Sequence, residues 1–194
     1  MKTNAKLLYV LLMLSFLTLN SILLVAKNVK IDTKKSSVEI SGTSTLHDWK
    51  IKVLNFKGDL DVELGANNQI ETFKSVNLSF FSTSFSSGKK SMDNKIKDAV
   101  KAEKYPMIGF TMDKIKDIKS LPNKQMIIVS GKITIAGVSK NIEITAWGTV
   151  NAAGEIVIIA KKDIEMTDFG IEPPEVFFIK AGNKVEIRLT LFIS

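Results

Sequence analysis

The second half of the chain is written with a period of two. Ile127-Ile128-Val129-Ser130-Gly131-Lys132-Ile133-Thr134-Ile135, Asn141-Ile142-Glu143-Ile144-Thr145-Ala146-Trp147 and Val185-Glu186-Ile187-Arg188-Leu189-Thr190-Leu191-Phe192-Ile193 all alternate apolar with polar residues. Such runs predict strands with one apolar and one polar face. A sheet of many such strands must hide its apolar face, by packing on a second sheet or by closing on itself. The first solution gives a solid core, and the second can enclose a container. That alternative is the functional question the sequence poses.

More strands precede this half. Val29–Asp32 and Val38–Thr43 read as short strands, and Trp49, Ile51 and Val53 alternate with Lys50 and Lys52. The same period continues through Asn55–Leu64 after a kink expected near Gly58, and Gly65-Ala66-Asn67-Asn68 has turn composition. Val76–Phe80 opens a strand running towards Phe85, and Met107–Asp113 and Ile156–Ile164 add two more. Leu121–Lys124 and Asn151–Gly154 read as turns, Ala136–Ser139 as a hairpin connection, and Gly182-Asn183 as a two-residue hairpin turn opening the last strand. The count is roughly eight strands of ordinary length.

One segment has a helical period instead. Between Ser91 and Tyr105, Met92, Ile96, Ala99 and Val100 share one face. Ser91 suits the start as a cap, Asp93 the positive end of the helix dipole, and Lys101 and Lys104 the negative end. Pro106 is expected to stop the helix. A single amphipathic helix in an otherwise β chain must cover the sheet or plug its end.

The N-terminus predicts export. Lys2 and Lys6 precede the apolar run Leu7–Leu14, and apolar character continues to Ala26. This is the pattern of a signal peptide over residues 1–26, leaving one domain at 27–194 and a periplasmic or extracellular destination. The rival is a retained anchor, since the stretch approaches the roughly 20 residues that span a bilayer. The remaining 168 residues of the 194 suit a single core. With no cysteine, acylated-cysteine anchoring, thiol catalysis and cysteine-ligated metal are excluded. The leader holds two lysines and no acid, so the domain keeps +5 of the chain's net +7. That charge does not predict nucleic-acid binding: Arg188 is the only arginine, and the lysines are spread and interleaved with acids.

The candidates for chemistry are few. His47, the only histidine, sits in Gly42-Thr43-Ser44-Thr45-Leu46-His47-Asp48-Trp49. Neighbouring His and Asp on a strand point to opposite faces, which disfavours a triad, and no Gly-x-Ser-x-Gly elbow occurs. His47 is therefore expected to bond locally or to make a polar contact at a cavity mouth, and one histidine without cysteine disfavours zinc. Ser87-Gly88-Lys89-Lys90-Ser91 lacks the upstream glycine and the final hydroxyl of a phosphate loop, leaving an exposed turn or a contact for an anionic head group. Asp59/Asp61 and Asp163/Glu165 read as solvated outward positions rather than glycosidase pairs. The stretch Thr167–Phe178 gathers Phe169, Phe177 and Phe178 around Pro173-Pro174, rings that either cap a core or line a mouth.

Several of these pieces occur together in order. They are Gly42–Trp49, Met92-Asp93-Asn94-Lys95 with Glu103-Lys104-Tyr105-Pro106-Met107-Ile108-Gly109-Phe110, then Ile133-Thr134-Ile135-Ala136-Gly137-Val138-Ser139-Lys140, then Asp168-Phe169-Gly170-Ile171. In this combination essentially the whole domain resembles the YceI-like family of bacterial lipocalin-like, polyisoprenoid-binding proteins. The resemblance implies an all-β fold, an extended eight-stranded antiparallel lipocalin-like barrel with one amphipathic helix and an elongated apolar pore. An eight-stranded barrel is wide enough for one small ligand. Many members carry Arg-Asp/Glu-x-His-Leu before the Tyr-Pro element; Met92-Asp93-Asn94-Lys95-Ile96 has neither the arginine nor the histidine, so the ligand's identity does not carry over.

The expectation is thus a binding protein, not an enzyme, without metal or cofactor. Its partner would be an isoprenoid or other long-chain lipid, with room for transient membrane contact. The residues expected to line the pore are Trp49, Phe80, Met92, Ile96, Val100, Phe110, Phe169, Phe177 and Phe178, up to a register in which one slip inverts every face. The rivals are a filled barrel serving as a structural or interaction module, and a transmembrane barrel. The latter would need aromatic girdles, and the chain has two tryptophans and two tyrosines.

Overall fold

The computed structural model describes residues 25–194, apart from Ala66, Asn68 and Phe177. Most of the expected leader lies outside the described residues. The strands in chain order are β1 (Val25–Lys30), β2 (Ser37–Ser44), β3 (Trp49–Val53), β4 (Phe56–Leu64), β5 (Ile70–Phe81) and β6 (Phe85–Ser86). Helix α1 (Lys90–Ala99) follows, then β7 (Met107–Leu121), β8 (Lys124–Ile135), β9 (Val138–Val150), β10 (Ile156–Glu165), β11 (Glu175–Val176) and β12 (Ile179–Ile193).

The period-two runs become one long antiparallel sheet. Its order is β1-β4-β5-β7-β8-β9-β10-β12-β2-β3-β6, with β11 pairing off the path on β12. The sheet curls into a half-barrel that keeps its apolar face inside. Its β1 edge is drawn to the end of β12: Lys30 N–H donates to the Ser194 carbonyl and Ser194 N–H to that of Lys30, both at 3.1 Å. At the end opposite α1, Val62, Ile70, Ile127, Ile156 and Ile193 are all but fully buried.

The eight expected strands are eleven along the path; the run expected from Val76 towards Phe85 is divided by a 3-10 turn at Ser82–Ser84 into β5 and the short β6. Residues 25–44 form two strands, β1 on β4 and β2 on β3. The turn between them is held by Asp32, whose carboxylate accepts from the N–H groups of Lys34 and Lys35 at 3.0 and 3.3 Å. The chain parts between β3 and β4 at Leu54-Asn55, not at Gly58, which lies within β4 against Leu78. Gly182-Asn183 does not make a hairpin turn either. It lies within β12, at an irregularity in the pairing with β2 between Ala181 and Val185. There Asn183 receives the Thr167 N–H at 3.0 Å and donates to Thr167 Oγ1 at 2.9 Å, tying β12 to the end of β10.

Two tight hairpins form as expected. Pro122-Asn123 joins β7 to β8. Ala136-Gly137 joins β8 to β9 with both φ angles positive, 49° and 81°, the hand that matches the twist of the flanking strands. The ring of Tyr105 packs on that turn at Gly137. Ser82, itself fully buried, donates its N–H to the Pro106 carbonyl at 3.0 Å and its hydroxyl to the Tyr105 carbonyl at 3.1 Å. The Tyr-Pro element thereby pins the chain after α1 to the sheet.

The helix is shorter than its pattern. It ends at Ala99, and Lys101 at φ 53° turns the chain before Pro106 is reached. Lys89, not Ser91, is the cap residue. Asp93 reaches back instead, accepting from the Ser87 N–H and the Ser87 hydroxyl, each at 2.6 Å.

Candidate functional site

The curled sheet encloses a cavity of about 460 Å³. Its wall is made by the inward halves of the alternating runs: Ile127, Val129, Ile133 and Ile135 of β8; Ile142, Ile144 and Ala146 of β9; Ile158, Ala160, Lys162 and Ile164 of β10; Val185, Ile187, Leu189 and Leu191 of β12. Period two put them there, since a strand with one buried face sends every second side chain inward. Space is left where the pattern uses small residues. Ala146 and Ala160 face each other across β9 and β10. Gly148, by contrast, leaves no space: a β-carbon there would stand 2.5 Å from Ile70 Cδ1 and 3.1 Å from Ile127 Cδ1, which fill the room.

The end far from α1 is closed by an amide. Buried Gln125 accepts the Ile70 N–H on its side-chain oxygen at 2.7 Å and donates its NH₂ to the Ile70 carbonyl at 2.9 Å. At that point β5 has no backbone ladder with β7, whose pairing to it is confined to Asn77–Phe81. The Gln125 side chain supplies the missing partner. The opposite end is covered by α1, which turns Met92, Ile96, Ala99 and Val100 to the cavity while burying none of its residues.

At this covered mouth stand Trp49, His47 and Ser44. The Trp49 ring packs against Gly42 and its indole N–H donates to the Thr43 carbonyl at 2.8 Å. His47 Nδ1 lies 2.9 Å from the Asp48 main-chain oxygen, which can only accept, so this nitrogen carries the proton. The Ser44 hydroxyl donates to the His47 carbonyl at 2.6 Å. These are local bonds of a turn, as the sequence suggested, with neither Ser44 Oγ nor the Asp48 carboxylate on the imidazole.

Charge in the lining has one sign. Among the described residues, Lys89, Lys95, Lys161 and Lys162 line the cavity and no carboxylate does. The Ser87–Ser91 loop is closed upon Asp93, whose carboxyl is held below its ordinary value by the Ser87 hydroxyl first and the Ser87 N–H second. Of the acid pairs, Asp163 faces out and pairs with Lys184 at 2.7 Å.

The wall also has a window. Pairing between β9 and β10 ends at Thr145 and Lys161. Beyond it, Val138–Ile144 pair with β8 alone and Lys162–Glu165 with β12 alone, among the described residues. Past the window, Lys140 meets Asp168 at 2.9 Å, so the turn after β10 bridges back to β9.

Of the expected lining residues, Trp49, Phe80, Met92, Ile96, Val100 and Phe110 border the cavity. Phe169 does not. It is buried in the core outside the cavity, carried there by a short 3-10 turn that Gly170 ends at φ 64°. Phe178 is 95 % exposed at the entry to β12. Phe177 lies outside the described residues. The lining on β8, β9, β10 and β12 is not among the expected residues, although parity with Ile158 and Ala160 places Lys162 and Ile164 on the inward face.

The protein is thus of the all-β class, an antiparallel sheet curled into a half-barrel around an apolar cavity with one helix over its mouth. The chain belongs to the family of YceI-like domains, whose pattern matches residues 29–192. In structure it is similar to Burkholderia cenocepacia BcnA, with TM-score 0.69 and 18 % identity over 84 % of this chain and 99 % of that one. It is also similar to a polyisoprenoid-binding domain from Saccharophagus degradans implicated in plant cell wall breakdown, with TM-score 0.62 and 13 % identity over 86 % and 98 %. A YceI protein of Campylobacter jejuni matches at TM-score 0.58 and 22 % identity over 73 % and 82 %. No curated protein matches the chain in sequence.

Proposed function

We propose that this chain binds one long apolar ligand, a polyisoprenoid or fatty-acyl lipid, inside the curled sheet. It acts as an exported carrier or store and not as an enzyme. The observation that carries this reading is the almost wholly apolar cavity of about 460 Å³ behind α1, within the range of roughly 300–1,000 Å³ usual for small-molecule sites. A filled barrel serving as an interaction module calls for side chains where this space lies. Binding would be driven by taking the chain out of water, about 0.8 kcal/mol for each methylene buried. Trp49, Phe80, Met92, Ile96, Val100 and Phe110 would touch the ligand, with His47 at the mouth. The leader-like N-terminus supports a periplasmic or extracellular destination.

The test is to express the full chain in a bacterial host, fractionate the cells, purify the protein and extract it with organic solvent for mass spectrometry. A long-chain lipid in near-stoichiometric amount, from protein recovered outside the cytoplasm, is the expected result. Protein free of lipid that also takes up neither labelled isoprenoid nor labelled fatty acid would overturn the reading.

A further inference from the structure

We propose that the ligand's head is anionic and that Lys162 holds it at the window between β9 and β10. The inference rests on the reading of the cavity as a lipid site and adds the chemical class of the lipid. Residues 156, 158, 160, 162 and 164 of β10 share the inward face, so Lys162 stands in a row otherwise made of isoleucine and alanine. Its β12 partner in register is Ile187, another wall residue. On the β9 side its row has no backbone partner, because the ladder ends one residue earlier at Lys161.

The Lys162 side chain has no hydrogen-bond or ion-pair partner among the described residues, whereas outward-facing Lys184 is paired with Asp163. A lysine turned into an apolar wall is costly unless its charge is matched or its stem runs along apolar surface to water. The window offers the second route, and the half-buried state of Lys162 fits it. A ligand whose tail lies in the cavity would then present its head to the ammonium at that opening. Lys161 beside it, with Lys89 and Lys95 across the mouth, gives the whole lining a positive sign that no carboxylate offsets. A neutral head gains a hydrogen bond here but leaves the charge unmatched, and a cationic one is repelled. A carboxylate or a phosphate satisfies it.

The test compares hexadecanoate, hexadecanol and hexadecylamine, and farnesyl phosphate against farnesol, by calorimetric titration of the delipidated protein. Hexadecanoate, farnesyl phosphate or both should bind about tenfold or more tightly than the matching alcohol, with the amine weakest. A preference in one series identifies a fatty acid or a prenyl phosphate, and a preference in both identifies the shared anion. Lys162→Met should bring acid and alcohol affinities together, with Lys162→Gln as the parallel variant and Lys162→Arg retaining the preference. Wild-type protein that binds acid and alcohol equally overturns the anionic head and leaves the lipid reading standing. A preference that survives in both Lys162→Met and Lys162→Gln overturns the assignment to Lys162. Failure of every probe to bind overturns the lipid reading, and this inference with it.

Discussion

Tyr105 and Gly137 meet so closely that a β-carbon on Gly137 would stand 2.6 Å from Tyr105 Cε1. Two sequence motifs far apart in the chain thus form one joint, fixing the segment after α1 to the β8–β9 turn. Gly137→Ala would place a methyl against the ring and hold alanine at φ 81°. It should lower stability by about 1–3 kcal/mol, read as a shift in the urea midpoint.

Gln125 and Ile70 make the second joint, at the closed end. Gln125→Leu keeps the volume and removes both side-chain partners of the Ile70 main chain. Leaving that buried N–H and carbonyl unpaired should cost about 2–3 kcal/mol, and amide exchange should speed up first at the start of β5.

Filling the cavity should abolish uptake without unfolding the sheet. Ala160 is buried, faces Ala146 and lines the cavity. Ala160→Phe should weaken lipid binding by about tenfold or more while far-ultraviolet circular dichroism stays that of a β protein.

Trp49 should report occupancy. It lines the cavity, whereas Trp147 is outside the lining and has the Lys124 ammonium over its ring at 5.5 Å. Lipid titration should change tryptophan emission in the wild type and in Trp147→Phe. In Trp49→Phe the change should vanish.

Asp93 supplies a pH dependence. Its carboxyl is held below its ordinary value of 3.8 by the Ser87 hydroxyl and N–H. A depressed carboxyl stabilises the fold above its unfolded value, and that contribution is lost as pH falls through the depressed value. Wild type should therefore melt above Asp93→Ala at neutral pH, and the gap should close on acidification. A gap that stays constant across the series would show that the Ser87 bonds are not its source.

The alternation of the wall strands was legible but their inward face was not, because period two fixes a face only once one residue of a strand is placed. Ile133 and Ile135, or Ile187 and Leu189, follow by parity after that. The helix face Met92–Ile96–Ala99–Val100 was legible from its longer period. What escaped depends on partners distant in the chain. Nothing local to Gly182-Asn183 says that β12 runs through it, because Asn183 is engaged by Thr167, sixteen residues away. Phe169 and Phe178 are alike in composition and opposite in burial, since a 3-10 turn and a left-handed glycine decide the direction of one ring alone. Strand count failed at Ser82–Ser84, where a 3-10 turn parts β6 from β5 within a run read as one strand.

The place where β9 and β10 part also separates access from rigidity. Where neighbouring strands are laddered, prising them apart means breaking a run of backbone hydrogen bonds that water only partly replaces. Between Val138–Ile144 and Lys162–Glu165 that cost is already absent, so the wall can breathe there while its ladders stay shut. Entry by this route requires side chains to move aside, a fast and inexpensive motion, and leaves the covering helix where it lies.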